Sequence, residues 1–208
     1  MKLVVINYGM GNLASVCRAL EECGGEPVLS ADPKSLSGAD RIILPGVGAF
    51  GDGMKNLREA GWPDAIGAAL QNPEVCLLGI CLGMQLLADK GYEHGEHEGL
   101  GLVRGKVERM NPGDGERVPH VGWNELRAVR KSGLTAGISE GTDFYFVHSY
   151  HFNAEDESDV IGRTPYAGVF VSAVQHGNVF GTQFHPEKSS FAGFRLLKNF
   201  LGRPLDHA

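Results

Sequence analysis

Three short runs near the start of the chain, Leu3-Val4-Val5-Ile6, Arg41-Ile42-Ile43-Leu44 and Val75-Cys76-Leu77-Leu78-Gly79-Ile80, carry almost no polar residue at alternate positions. A strand exposed on one face alternates apolar and polar residues, so strands like these must be covered on both faces. The stretches between them have the other period. Within Asn12–Cys23, Leu13, Val16, Cys17 and Leu20 recur at helical spacing, and Gly24-Gly25 stops the run. Strand and helix alternating in this way predict a parallel sheet with helices on both sides.

The remaining elements fill in that plan. Pro27–Leu29 reads as a second strand, and Arg41–Leu44 as a third that Pro45 ends. Asp52–Leu70 is mostly helical with a break near Gly61-Trp62-Pro63, and Met84–Asp89 opens another helix after the Val75–Ile80 strand. The second half changes character. Gly99–Gly141 holds short extended runs around the turn cluster Asn111-Pro112-Gly113-Asp114-Gly115, and Phe144–Val147, Val169–Val174 and Val179–Phe184 are strand-like. A last amphipathic helix covers about Phe191 to Leu201. With no repeat, linker or low-complexity tract, the expectation is one α/β domain over 1–208. Its central sheet is mostly parallel and flanked by helices, with antiparallel additions in the second half.

Composition removes several function classes. Nineteen Lys and Arg against 25 Asp and Glu give a net charge of −6, which lacks the basic footprint of a nucleic-acid binder. No apolar run approaches the ~18 residues of a membrane span, and Leu3–Ile6 is too short for a signal-peptide core. A soluble cytoplasmic protein is expected. Thirty glycines among 208 residues are about twice the usual share, as loops that approach a ligand closely require. Four cysteines, Cys17, Cys23, Cys76 and Cys81, form no C-x-x-C pair and are too few to staple a chain this long.

Gly79-Ile80-Cys81-Leu82-Gly83 has the form G-x-nucleophile-x-G between a buried strand and a helix. Small flanking residues permit the strained turn that projects a nucleophile outward. The helix N-terminus there is expected to favour the Cys81 thiolate and to leave the Leu82 N–H for an oxyanion. Cys76 in mid-strand, and Cys17 and Cys23 on a helix, read as structural. A thiol nucleophile needs a base with an orienting group, and His185-Pro186-Glu187 at the end of a strand supplies both. Cys81, His185 and Glu187 form a candidate Cys-His-Glu triad.

Gly79–Gln85 and Gln183-Phe184-His185-Pro186-Glu187 resemble the two signatures of the triad-type (class I) glutamine amidotransferases. Asn7-Tyr8-Gly9-Met10-Gly11-Asn12, Pro45-Gly46-Val47-Gly48-Ala49-Phe50, Val118–Asn124 and Phe146-Val147-His148-Ser149-Tyr150 are similar to the glutaminase subunits of imidazole glycerol phosphate synthases, and these blocks run from residue 7 to 189. The resemblance implies attack by Cys81 on the glutamine carboxamide, with His185 as base and Glu187 as its orienter. It implies oxyanion donors among Leu82, Val47 and Gly48, and glutamine contacts from Gly46, Gln85, Glu93, Ser149 and Tyr150. It also implies no cofactor, and delivery of ammonia to a separate (β/α)₈-barrel cyclase subunit in histidine biosynthesis. Asn12, Trp123, Tyr145 and Lys188 are the expected interface residues.

Other readings compete. Gly9-Met10-Gly11-Asn12-Leu13-Ala14 and Gly46-Val47-Gly48-Ala49-Phe50-Gly51 mimic dinucleotide fingerprints. In the first, Asn7 and Tyr8 separate strand from glycine. In the second, Pro45 stands where the strand should enter and no second strand ends in an acid about 20 residues on. Glu93, His94, Glu96 and His97 lie close together, yet a solvated polar loop is the expectation, with no metal. A binding module with a lost triad is disfavoured by three intact catalytic residues.

Overall fold

The computed structural model describes residues 1–202 apart from Asp114 and Glu116, so part of the Asn111–Gly115 turn cluster lies outside the described residues. The chain begins β1 (Leu3–Ile6), α1 (Leu13–Glu22), β2 (Pro27–Ser30), β3 (Arg41–Gly46), α2 (Phe50–Glu59), α3 (Trp62–Ala69), β4 (Cys76–Cys81) and α4 (Leu82–Gln85). After β5 (Lys90–Gly91) and β6 (His97–Glu98) come β7 (Gly105–Arg109), β8 (His120–Ala128), β9 (Thr142–His148) and β10 (Tyr150–Ala154). The last elements are β11 (Val160–Pro165), β12 (Val169–His176), β13 (Val179–Thr182) and α5 (Ser190–Gly202). This is the expected single-domain α/β fold, and its sheet is mixed.

Strands β2-β1-β3-β4-β13 run parallel, and the order continues antiparallel through β12, β10 and β7 before reaching β5 and β6. A branch from β12 adds β11, β8 and β9. Every residue of β1 and β4 is buried, as their unbroken apolar runs require. Val4, Ile42, Leu44 and Leu77 pack on one side of the sheet with Phe50, Leu57 and Trp62 of α2 and α3. Val5, Ile43, Leu78 and Ile80 pack on the other with Leu20 of α1 and Leu197 and Phe200 of α5. Gly24, in the left-handed region at φ 86°, closes α1 as expected, with Gly25 N–H returning to the Leu20 carbonyl.

Two expected boundaries are corrected. Pro45 does not end β3, which runs on to Gly46 beside β4. The ladder from β1 already stops at Ile43, so the N–H that proline lacks has no partner to lose there. The helix expected over Met84–Asp89 is a single turn, Leu82–Gln85. Leu87 and Ala88 N–H tighten onto the Met84 and Gln85 carbonyls three residues back, Asp89 N–H leaves for the Gly105 carbonyl, and residues 99–103 block any further extension. Leu100 N–H takes the Leu86 carbonyl, Leu102 and Val103 take that of Leu87, Gly101 that of Ala88 and Gly99 that of Asp89. Those carbonyls are the acceptors a longer helix would have needed.

The strand-to-helix turn at Cys81 closes through glycine clearances. A Cβ on Gly83 would stand 1.8 Å from the Leu44 carbonyl oxygen, and one on Gly79 would stand 2.6 Å from that of Gly83. Gly83→Ala is therefore expected to destabilise the fold by about 3 kcal/mol. Gly67, inside α3 with open space around it, should behave oppositely, Gly67→Ala adding about 0.5–1 kcal/mol. Urea midpoints of the two variants check both signs, and equal midpoints would refute the clearance argument.

Candidate active site

Cys81 sits at φ 54°, ψ −109°, a backbone conformation that side-chain-bearing residues rarely adopt. Register places it directly opposite Gly46 at the carboxyl edge of the parallel strands, where β3 and β4 end together. Helix α4 is one turn long, so the thiolate support expected from a helix dipole shrinks to what a few N–H groups supply. Leu82, first residue of that turn, has no intrahelical acceptor for its N–H.

His185 follows β13, parallel to β4, and is thereby carried to the same edge. Pro186–Lys188 forms a 3₁₀ turn that folds Glu187 back, and His185 Nδ1 lies 2.7 Å from Glu187 Oε1. The carboxylate can only accept, so Nδ1 carries the proton and Nε2 is left toward Cys81. The turn is anchored to β9. His185 N–H donates to the Tyr145 carbonyl at 2.9 Å, Tyr145 N–H to Ser189 Oγ at 3.0 Å, and Ser189 Oγ–H to the His185 carbonyl at 2.6 Å.

The side chains of His185 and Glu187 are 3% and 2% exposed, so their pairing operates almost without water. Burial by itself would lower the His185 pKa. Hydrogen bonding to Cys81 and Glu187, together with their charges, outweighs it and raises the value to about 10. Nε2 is buried and meets no acceptor at full hydrogen-bond geometry, which leaves Cys81 as the group it faces. A proton passed from the thiol to this imidazole is therefore held. In contrast, burial pushes the thiols of Cys17, Cys23 and Cys76 up.

A cavity of about 510 Å³ opens over Cys81. Val47, Gly48, Leu82, Gln85, Glu93, Ser149 and Tyr150 line it, together with Pro119, Val147 and His148. Gly46 lies behind this lining, where a Cβ would stand 2.3 Å from Tyr8 Oη. Gly48, at φ 119°, has Met10 Cε 2.5 Å from the place of a Cβ, so the loop after β3 and the loop after β1 interlock. Glu93 Oε2 accepts the Phe50 N–H at 2.8 Å, capping α2 where Ala49 has no side-chain acceptor.

Trp123 and Tyr145 are register partners on β8 and β9, with ring centroids 6.1 Å apart, and Lys188 Nζ lies 5.8 Å from the Tyr145 ring centroid. Trp123 is 54% exposed, so it is a surface aromatic and not a core one. Asn12 is engaged elsewhere, accepting from Ser15 N–H as the cap of α1. In the polar loop, Glu96 pairs with Lys90 at 2.7 Å while Glu93 caps α2. Among the described residues no three His, Cys, Asp or Glu side chains are grouped to hold a metal ion, and no helix is long and apolar enough to cross a membrane.

Sequence reasoning missed Gln183, whose Nε2 lies 3.8 Å from Cys81 Sγ, and Ser189, which pins the base. It also passed over Tyr8 and His148 as individual residues. The family model for glutamine amidotransferase class-I matches residues 4–203. The chain belongs to the class-I glutamine amidotransferases. Among curated relatives of this amidotransferase, the imidazole glycerol phosphate synthase subunit HisH of Aquifex aeolicus is 50% identical over 201 residues, 96% of each chain. The subunit of that name from Moorella thermoacetica is 48% identical over 206 residues, 99% of this chain and 96% of its own. Solved structures at lower identity share the fold. A crystal structure of a glutamine amidotransferase has a TM-score of 0.75 at 24% identity, covering 96% of this chain and 97% of its own. PurLQS from Thermotoga maritima also has a TM-score of 0.75, at 23% identity over 97% and 98%.

The pH dependence of this amidotransferase follows from His185. A base whose pKa is raised keeps its proton until pH rises through about 10, so an acid function of His185 persists across the neutral range. Glu187→Gln removes a carboxylate that raises that pKa, and the alkaline limb of kcat/KM for glutamine should move to lower pH. Turnover should fall less than the roughly 10²–10⁴-fold expected of His185→Ala. An alkaline limb at the same pH in both proteins would show that Glu187 does not act through His185.

Proposed function

We propose that this chain is the glutaminase subunit of an imidazole glycerol phosphate synthase, hydrolysing L-glutamine to glutamate and ammonia in the cytoplasm as one amidotransferase domain over 1–208. The observation that carries the reading is the buried line of Cys81, His185 and Glu187 beside a cavity of amino-acid size. The sulfur of Cys81 attacks the side-chain carboxamide carbon of glutamine, and its proton goes to His185 Nε2. His185 then gives that proton to the departing amide nitrogen, which leaves as ammonia, and a glutamyl thioester remains on Cys81. Water attacks the thioester with His185 taking its proton, glutamate leaves, and the thiol is restored.

The developing oxyanion is met by the Leu82 N–H and by an N–H of the Val47-Gly48 loop. Gln85 spends its Nε2 on protein acceptors, so its Oε1 is the atom offered to the glutamine ammonium. Glu93 contributes its second carboxylate oxygen in the same way, and the Ser149-Tyr150 backbone and Gly46 complete the pocket. No cofactor is needed for this chemistry.

The relatives named as synthase subunits support assembly with another synthase subunit, and the partner is read as a cyclase of (β/α)₈ form. Its docking face is taken to be the surface that carries exposed Trp123 with half-buried Tyr145 and Lys188 against it. Asn12 is assigned to the same face, next to Gly11, which backs onto Gly46.

A diazo-ketone glutamine analogue should label Cys81 alone, and mass mapped to Cys17, Cys23 or Cys76 would overturn the nucleophile assignment. Cys81→Ala in the assembled synthase should end glutamine use while ammonia-driven synthesis continues. Glutamate release should rise when the cyclase and its nucleotide substrate analogue are added to the isolated chain. Equal rates would remove the partner from control of the site.

A further inference from the structure

Two polar groups other than the imidazole approach Cys81 Sγ. The Val147 carbonyl is 4.0 Å away and can only accept, which favours the thiol. Gln183 Nε2 is 3.8 Å away and can only donate. The orientation of that amide follows from a chain of groups with no freedom. The Tyr150 carbonyl accepts from Gln85 Nε2 at 3.0 Å, which fixes the nitrogen end of Gln85. The second N–H of Gln85 then goes to Gln183 Oε1, also at 3.0 Å, and this leaves Gln183 its Nε2 for the sulfur. The same Tyr150 carbonyl takes Nδ1–H of His148 at 2.8 Å, and burial pushes the His148 pKa down to about 3, so that ring is neutral and adds no competing charge.

We infer that Gln183 is a positioning residue for the nucleophile: its oriented carboxamide donates to the Cys81 sulfur once the thiol proton has passed to His185, offsetting the Val147 carbonyl. Gln183 is fully buried and does not line the cavity, so its N–H serves the sulfur and not the substrate. A wholly buried amide with one committed end and one aimed at a reacting atom is a costly arrangement for packing alone. Of the other titratable groups, His185 and Tyr8, from the loop after β1, act on Cys81 directly, Glu187 is paired with His185, and Glu93 and His148 line the same cavity. Of the two amide groups involved, only Gln183 touches the sulfur. The inference rests on Cys81 being the glutaminase nucleophile.

The test is the rate of Cys81 alkylation by iodoacetamide against pH, with KM and kcat for glutamine measured beside it. Wild-type Cys81 must be labelled rapidly at neutral pH, and if it is not, the glutaminase reading itself fails. Gln183→Glu keeps the acceptor that Gln85 uses and replaces the donor with a carboxylate oxygen. Alkylation at neutral pH should then fall by about tenfold or more, the profile should shift to higher pH, and kcat should fall while KM changes less than about twofold. Gln183→Leu should lie between Gln183→Glu and wild type. Rapid wild-type labelling with unchanged profiles in folded variants would overturn the inference and leave the glutaminase reading standing. Where either variant lacks the wild-type melting transition, the wild-type chain labelled with ¹⁵N-glutamine decides. The Gln183 side-chain resonance should follow the ionisation of Cys81, and a resonance that stays fixed over that range overturns the inference.

Discussion

Cys81 holds its positive φ because the chain around it has nowhere else to go. The two parallel strands β3 and β4 bring Leu44 against Gly83, Gly83 against Gly79 and Gly46 against Tyr8, at separations that admit hydrogen and no carbon. Three glycines are thus used for backbone clearance, and the strain of one non-glycine residue is carried by the buried sheet on both sides of it. The position of the sulfur, the free N–H of Leu82 and the opening of the cavity all follow from that turn. A looser junction would leave the same residues in the chain but scatter them by more than the reach of a proton transfer.

Electrostatics at the site then depends on how thoroughly water is excluded. His185 and Glu187 are nearly inaccessible, and a charged imidazole there would be expensive without the carboxylate 2.7 Å away. The result is a base whose proton affinity is raised in spite of burial. His148, which lines the same cavity, lacks any carboxylate partner and goes the opposite way. Two histidines at one site are thereby assigned different protonation states by their neighbours, one to move protons and one to act as a fixed donor.

The parallel half of the fold was legible because both-face burial leaves a plain mark on sequence, and the nucleophile turn because its glycines flank it within two residues. His185 and Glu187 were legible for the same reason: the pair is local. What could not be read was non-local. The shortening of the helix after Gln85 arises from the Asp89 N–H going to the Gly105 carbonyl and from residues 99–103 taking the carbonyls beyond it, and the extension of β3 through Pro45 depends on where β1 stops. Gln183 was quoted only as part of a motif, since its contact with Cys81 spans 102 positions and is set by Gln85, itself held by a carbonyl of β10. Glu93 reads from sequence as a glutamine-pocket residue or as part of a solvated polar loop, and its closing of the α2 N-terminus is not legible there.

Strand β9 joins the catalytic base to the exposed aromatic face. Along it, alternate residues point to opposite sides, so Phe144 and Phe146 are buried while the residue between them, Tyr145, meets Trp123 toward solvent. The inward pair packs on Phe184, with ring centroids 4.1 and 5.6 Å away, and Phe184 immediately precedes His185. The Tyr145 backbone holds the His185 turn through two further hydrogen bonds, one from His185 N–H and one to Ser189. One end of β9, at Val147, stands beside Cys81, and the same strand carries the surface ring. A contact at Trp123 of β8 and Tyr145 of β9 that shifted β9 would reach both base and nucleophile, because a packed strand moves as a unit and this one meets His185 through Tyr145 and Cys81 through Val147.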